Sequence, residues 1–152
     1  MIMSTARCGG GAALEQRLTW YLEYAGLPIS GNHDKAPVRD RRTGEPTGEW
    51  ALTTEARAVR GAFRGVARLN YFSPRLDRTY QVRVLFTLPH HRVDGDNMLK
   101  ALCDALFSSG RDHLILRYDI VRQIEPSISR TQVWIDEFPA DWRPIPEWIT
   151  EK

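Results

Sequence analysis

The stretch YQVRVLFTLPHHRVDGDNMLKALCDAL, residues 80–106, decides how this chain is read. Its first part alternates: Tyr80, Val82, Val84, Phe86 and Leu88 fall on one side, Gln81, Arg83, Leu85 and Thr87 on the other. That is the period of a β-strand. Pro89 stops the strand, and His90-His91-Arg92 leads into Asp94-Gly95-Asp96-Asn97. From Asn97 to Ser109 the period becomes helical, with Met98, Leu102, Ala105 and Leu106 as the apolar stripe, Asn97 able to cap the start and Gly110 placed to end it.

An acidic turn between strand and helix has chemical content. Asp94 and Asp96 are two residues apart, so an extended backbone presents both carboxylates on one side, and Gly95 lets the chain bend around an ion. Lys100 falls one turn into the helix, within reach of a phosphate held by such an ion, and Asp104 stands at i+4 from it, where the two can pair. Paired carboxylates with no adjacent thiolate suit Mg²⁺, with Mn²⁺ as the substitute, and those ions suit phosphoryl chemistry. Helix capping and dipole compensation would use the same acidic residues without any metal. A calcium-binding EF-hand loop starting at Asp94 would need glycine and a carboxylate where Leu99 and Ala105 stand. A haloacid-dehalogenase-type phosphatase would place Thr or Val where Met98 stands. Adjacent His90 and His91 point apart on an extended chain, which argues against zinc and for a DNA-facing or structural role.

Working outward, residues 17–25 alternate as a half-buried strand (Leu18, Trp20, Leu22 and Tyr24 on one face), and Gly26–His33 is turn-rich. Residues 34–49, with Arg39, Arg41 and Arg42, read as an exposed basic loop or hairpin. Thr53 or Thr54 caps a helix over about Glu55–Leu69, with Val59, Phe63 and Val66 buried and Arg57, Arg60, Arg64 and Arg68 along another face, able to track a phosphate backbone. After a short apolar run at 114–116, Ile120–Glu125 and Thr131–Glu137 read as the two strands of a hairpin. The order predicts an α+β fold: a small mixed sheet of about four strands with two main helices. Residues 1–14, with Gly9-Gly10-Gly11, read as a flexible leader, 15–138 as the folded domain, and 139–152 as an extended tail packed on it through Trp142 and Trp148.

Charge is unevenly placed. Residues 1–92 carry 14 Lys+Arg against 8 Asp+Glu, and 93–152 carry 7 against 11, so the net +2 of the chain divides into +6 and −4. A basic half beside an acidic one fits a polyanion-binding surface next to a metal-binding cluster. Two cysteines, Cys8 and Cys103, match no metal-ligand or disulfide pattern, and no apolar run approaches transmembrane length, which together predict a cytoplasmic protein with no membrane partner.

The string Asp94-Gly95-Asp96-Asn97-Met98-Leu99-Lys100, followed by Asp104-Ala105-Leu106, resembles the RusA family of Holliday-junction resolvases of bacteria and their phages. The likeness extends more loosely to Leu27-Pro28-Ile29-Ser30-Gly31-Asn32, similar to that family's proline-rich turn, and to the order of the following helix and strand. The resemblance implies a homodimeric, Mg²⁺-dependent endonuclease that cuts four-way DNA junctions symmetrically. It implies three aspartates and a lysine at each site, of which Asp94, Asp96 and Lys100 carry over directly, and it adds Asn32 to the arginines as a DNA contact. The third aspartate departs from the pattern, because the family's Asp-Asp pair is missing after Gly110. A helix from Asn97 to Ser109 is about 20 Å long; Asp112 lies two residues past Gly110, which span at most ~7 Å, whereas Asp119 is far enough along to return to the helix start. Asp119 is therefore the expected third carboxylate, and Asp112 the alternative if a dimer completes the site. A less selective flap nuclease, or a catalytically silent branched-DNA-binding protein of the same fold, are the other readings.

Overall fold

In the computed structural model the strand of residues 80–88 sits at the centre of the sheet, and the rest of the fold is arranged around it. The structure describes residues 18–30, 33–92, 95–108 and 110–145. The leader, Asn32, Asp94 and the chain from 146 onwards lie outside them. The elements are β1 (Thr19–Tyr24), β2 (Lys35–Arg39), β3 (Pro46–Leu52), α1 (Thr54–Leu69), β4 (Arg78–Leu88), α2 (Gly95–Leu106), a 3₁₀ turn (Asp112–Leu114), β5 (Ile115–Ile124) and β6 (Arg130–Pro139). Four strands form a mixed sheet in the order β1-β6-β4-β5, and β2 and β3 form a separate antiparallel ribbon. The α+β fold with two helices expected from the sequence is the fold observed.

β4 reaches its central place because its alternate side chains are apolar. Tyr80, Val82, Val84, Phe86 and Leu88 are each no more than 2% exposed. They meet Val133 and Ile135 of β6, Leu22 of β1, and the buried faces of both helices. α1 contributes Phe63 and Ala67, and α2 contributes Met98, Leu102 and Leu106. A cluster of rings closes one end, with Phe72, Tyr80 and Phe107 meeting edge to face at centroid distances of 5.3–6.1 Å. Inside it the Tyr80 hydroxyl donates to Glu137 Oε1 and accepts from the Arg75 amide, and burial pushes its pKa up to about 12.

Helix ends follow local chemistry. The Thr53 side chain accepts from the Ala56 amide at 3.1 Å, Glu55 lies in the first turn of α1 and Arg68 in the last, each on the favourable side of the helix dipole. α2 stops at Leu106, earlier than the periodicity predicts, because Phe107 turns wholly into the core and Ser108 adopts a positive φ of 45°. Gly110, at φ 87°, completes the reversal, a conformation in which a Cβ is strained.

Two expectations about strands are corrected. β5 is one strand of ten residues, beginning at Ile115, rather than a short run followed by a strand from Ile120. It also does not form a hairpin with β6. β5 pairs in parallel with β4 and β6 pairs antiparallel on the other side of β4, so the central strand separates them. The chain crosses the end of β4 between them, marked by the Glu125 amide donating to Leu88 O at 2.9 Å. Crossing one strand requires a lateral step of about 10 Å, which the residues between Ile124 and Arg130 supply.

Alternation gives the sheet two unlike faces. The helices cover one. On the other, Arg83, Leu85, Asp119, Val121 and Trp134 line a shallow hollow of about 340 Å³. No described helix is long and apolar enough to cross a membrane. The fully buried Leu102 predicts that Leu102→Ala costs about 2–5 kcal/mol in urea unfolding. Thr53→Ala, which removes only the α1 cap, costs about 1 kcal/mol in the same measurement.

Candidate active site at the junction of β4 and α2

Leu88, the last residue of β4, is wholly buried, and the chain then emerges as exposed His90, His91 and Arg92 before re-entering as α2. α2 is largely core: Gly95, Met98, Ala101, Leu102, Cys103, Ala105 and Leu106 are all buried. The exposed residues of the helix are Asp96 and Lys100. They stand at i and i+4, one above the other on a single face. Asp96 occupies the first turn, where the helix dipole favours a carboxylate. Asn97 is half-buried beside it.

Gly95 explains how closely the neighbouring strand approaches. A Cβ built there would stand 3.0 Å from Cδ of Arg122, so the arginine stem lies directly against the start of α2. Arg122 pairs in register with Phe86 and shares its face of the sheet, the face on which α2 lies. It is a functional candidate that the sequence reading missed; its only signal there was a glycine between two aspartates, which marks a close approach.

Neither candidate for the third carboxylate is brought to this junction. β5 does return towards the start of α2, as the reach argument required, but Asp119 pairs in register with Arg83 and projects from the opposite face of the sheet. There it accepts from Gln81 Nε2 at 2.7 Å and pairs with Arg117 Nε at 3.1 Å. Distance permitted Asp119; strand alternation turned it away, and it lies about 10 Å along the strand from Arg122. Asp112 is exposed in the 3₁₀ turn beyond the far end of α2, a helix length of about 18 Å from Asp96. Its charge and that of Asp104 add to burial in pushing the Cys103 thiol up to about 12. Asp94 lies outside the described residues, and among those described no three of His, Cys, Asp and Glu gather closely enough to hold a metal. The donor described at this junction, the exposed Asp96 carboxylate, fits a hard cation bound through oxygen.

The expected basic surface is exposed in most of its parts. Arg41 and Arg42 lie at the tip of the β2–β3 ribbon and Arg39 below them, its guanidinium donating to Gly44 O at 2.9 Å. Along α1, Arg57, Arg64 and Arg68 are exposed. At 100° per residue these three lie within about 40° of one another, whereas Arg60 is turned about 60° away. That rotation carries Arg60 inward to the buried Asp34 carboxylate, 2.6 Å away, and to Asp104 of α2 at 3.7 Å. Arg60 is thus not presented with the other arginines, and Asp104 pairs with it rather than with Lys100 as the helical spacing suggested. The pair ties the segment entering β2 to both helices.

Asp34 is 3% exposed, and neither its Oδ1 nor Arg60 Nε has a hydrogen-bond partner among the described residues. A lone charge left at such a site is costly. Arg60→Met therefore destabilises the fold by about 3 kcal/mol in urea, whereas Arg64→Met, on the exposed line, changes it by no more than about 0.5 kcal/mol. No protein-family model matches the chain, and no curated protein matches it in sequence.

Proposed function

We propose that the protein is a Mg²⁺-dependent, structure-selective endonuclease that acts on four-way DNA junctions in the cytoplasm of a bacterium or a phage-infected cell, as the RusA resemblance implies. The observation that carries this reading is the exposure pattern of α2. A helix otherwise given to the core opens to solvent at Asp96 and Lys100, the two motif residues needed at a phosphodiester. The same spacing lets one ion meet the carboxylate while the lysine one turn on meets its phosphate.

In this reading Asp94 and Asp96 hold the metal, and Mn²⁺ substitutes for Mg²⁺. The ion, when bound, lowers the barrier to in-line attack by offsetting charge on the phosphodiester. Lys100 steadies the scissile phosphate from the same helix face, and Arg122, against Gly95, adds a second cation at the helix start. Arg39, Arg41, Arg42, Arg57, Arg64 and Arg68 hold the DNA backbone without reading sequence. Asp119 has no part in the site. A third carboxylate comes from Asp112 of a second copy in a homodimer, which also supplies the two sites that paired strand cleavage requires.

The missing Asp-Asp pair after Gly110 keeps one second reading, a branched-DNA-binding protein without catalysis. Incubation with a synthetic four-way junction and Mg²⁺ separates the two: paired symmetric nicks support the nuclease, and binding without cleavage supports the silent protein. For the nuclease, Asp94→Asn and Asp96→Asn each lower cleavage by more than about a hundredfold, with junction binding in EDTA unchanged or tighter because negative charge has been removed. Cleavage by either within about tenfold of wild type excludes the assignment.

The two third-carboxylate candidates part in the same assay. Asp119→Asn cleaves within about threefold of wild type, and Asp112→Asn falls by at least about tenfold. A monomer in light scattering, with and without junction, rules out the contribution of Asp112 across a dimer.

A further inference from the structure

Among the described residues, almost nothing is packed against the β2–β3 ribbon. Every residue of its two strands is exposed except Val38 and Leu52, which are half-covered. A two-stranded ribbon is marginal in water by itself, so this one depends on its base. There the Thr53 amide donates to Asp34 O at 2.8 Å, and the Asp34 carboxylate is held by Arg60. The ribbon is an arm anchored at its root by a buried ion pair.

On this arm stands Trp50, 65% exposed. In register it faces Pro37, Lys35 faces Leu52 and Arg39 faces Pro46. The register shifts between Pro37 and Arg39, but alternate residues of β2 still share a face, so Lys35 and Arg39 stand on either side of Pro37 along the face of Trp50, Arg39 with one guanidinium N–H on Gly44 O. Those cations are four residues apart, about 14 Å along the strand. Glu49 falls on the opposite face by the same alternation. Asp40 is occupied in the turn, accepting from the Arg42 and Thr43 amides, which lowers its carboxyl pKa. An aromatic face open to solvent and bracketed by cations, with the nearby acids turned away or engaged, is complementary to a flat ring carried on an anionic chain.

We propose that the ribbon is a stacking arm for unpaired DNA bases: Trp50 stacks on an exposed base while Lys35 and Arg39 hold the flanking phosphates. Bases within a duplex cannot offer a free face to such a ring, whereas the strand-exchange point of a branched DNA can. The identification of DNA as the nucleic acid rests on the function proposed above; the stacking itself does not.

The test is binding of fluorescent oligothymidylate about 20 nucleotides long, in EDTA and low salt, with linear duplex in parallel. Trp50→Ala weakens oligothymidylate binding roughly 5- to 100-fold, the range that base stacking on an aromatic side chain is worth. Trp50→Phe stays within about threefold of wild type, and binding of the duplex by Trp50→Ala changes by less than about twofold. Lys35→Gln combined with Arg39→Gln leaves the ring in place and reduces the slope of log affinity against log salt by about 1.4, two contacts at 0.7 each. An unbound wild-type chain, a Trp50→Ala variant within twofold of it, an equal loss on duplex, or an unchanged salt slope overturns the arm. Because no metal or cleavage enters the measurement, its failure leaves the Asp96 assignment standing, and loss of the Asp96 assignment leaves the arm standing.

Discussion

Removal of one side of β4 from water is the constraint on which the other placements depend. Five alternate side chains of that strand are in the core, so the strand cannot slip by one residue without turning all five to the opposite face. With the register set, β5 is held in parallel on one side and β6 antiparallel on the other. The parallel neighbour requires a crossover, and α2 is that crossover. The start of α2 is thereby pinned above the end of β4, with Arg122 of β5 against Gly95. The position of Asp96 and Lys100 is thus a consequence of burial on the other side of the same helix.

The basic surface is divided by the same logic. Four arginines spaced along α1 look equivalent when counted, yet a rotation of about 60° separates an arginine that serves the interior from three that serve the surface. Arg60 joins Asp34 and Asp104, elements far apart in sequence, and in doing so fixes the root of the β2–β3 ribbon. A residue that would otherwise attract polyanions instead orients the segment that carries Lys35, Arg39 and Trp50.

What could be read from the sequence was local. The alternation of β4, the stripe of α2, the Thr53 cap and the polar ribbon all follow from neighbours within a few residues, and the size and class of the sheet follow from counting them. The pairing of β5 was not legible, because strand period says that a strand exists and not which strand lies beside it. The face that Asp119 takes was not legible for a related reason: chain reach limits distance, while the face of a strand depends on where its pairing begins. The inward turn of Arg60 could not be seen without Asp34, 26 residues earlier in the chain.

Among the described residues, β5 lies at the end of the sheet and is bonded on one side only. Ten residues of extended chain with an open row of amides and carbonyls are a template on which another strand can assemble, and Val121, 60% exposed, adds an apolar invitation. Arg117, Asp119 and Arg122 interrupt that row with charge. A strand added there would have to strip water from these groups, so the border resists edge-to-edge addition. Charge on an edge strand thus opposes edge-to-edge pairing of the folded chain.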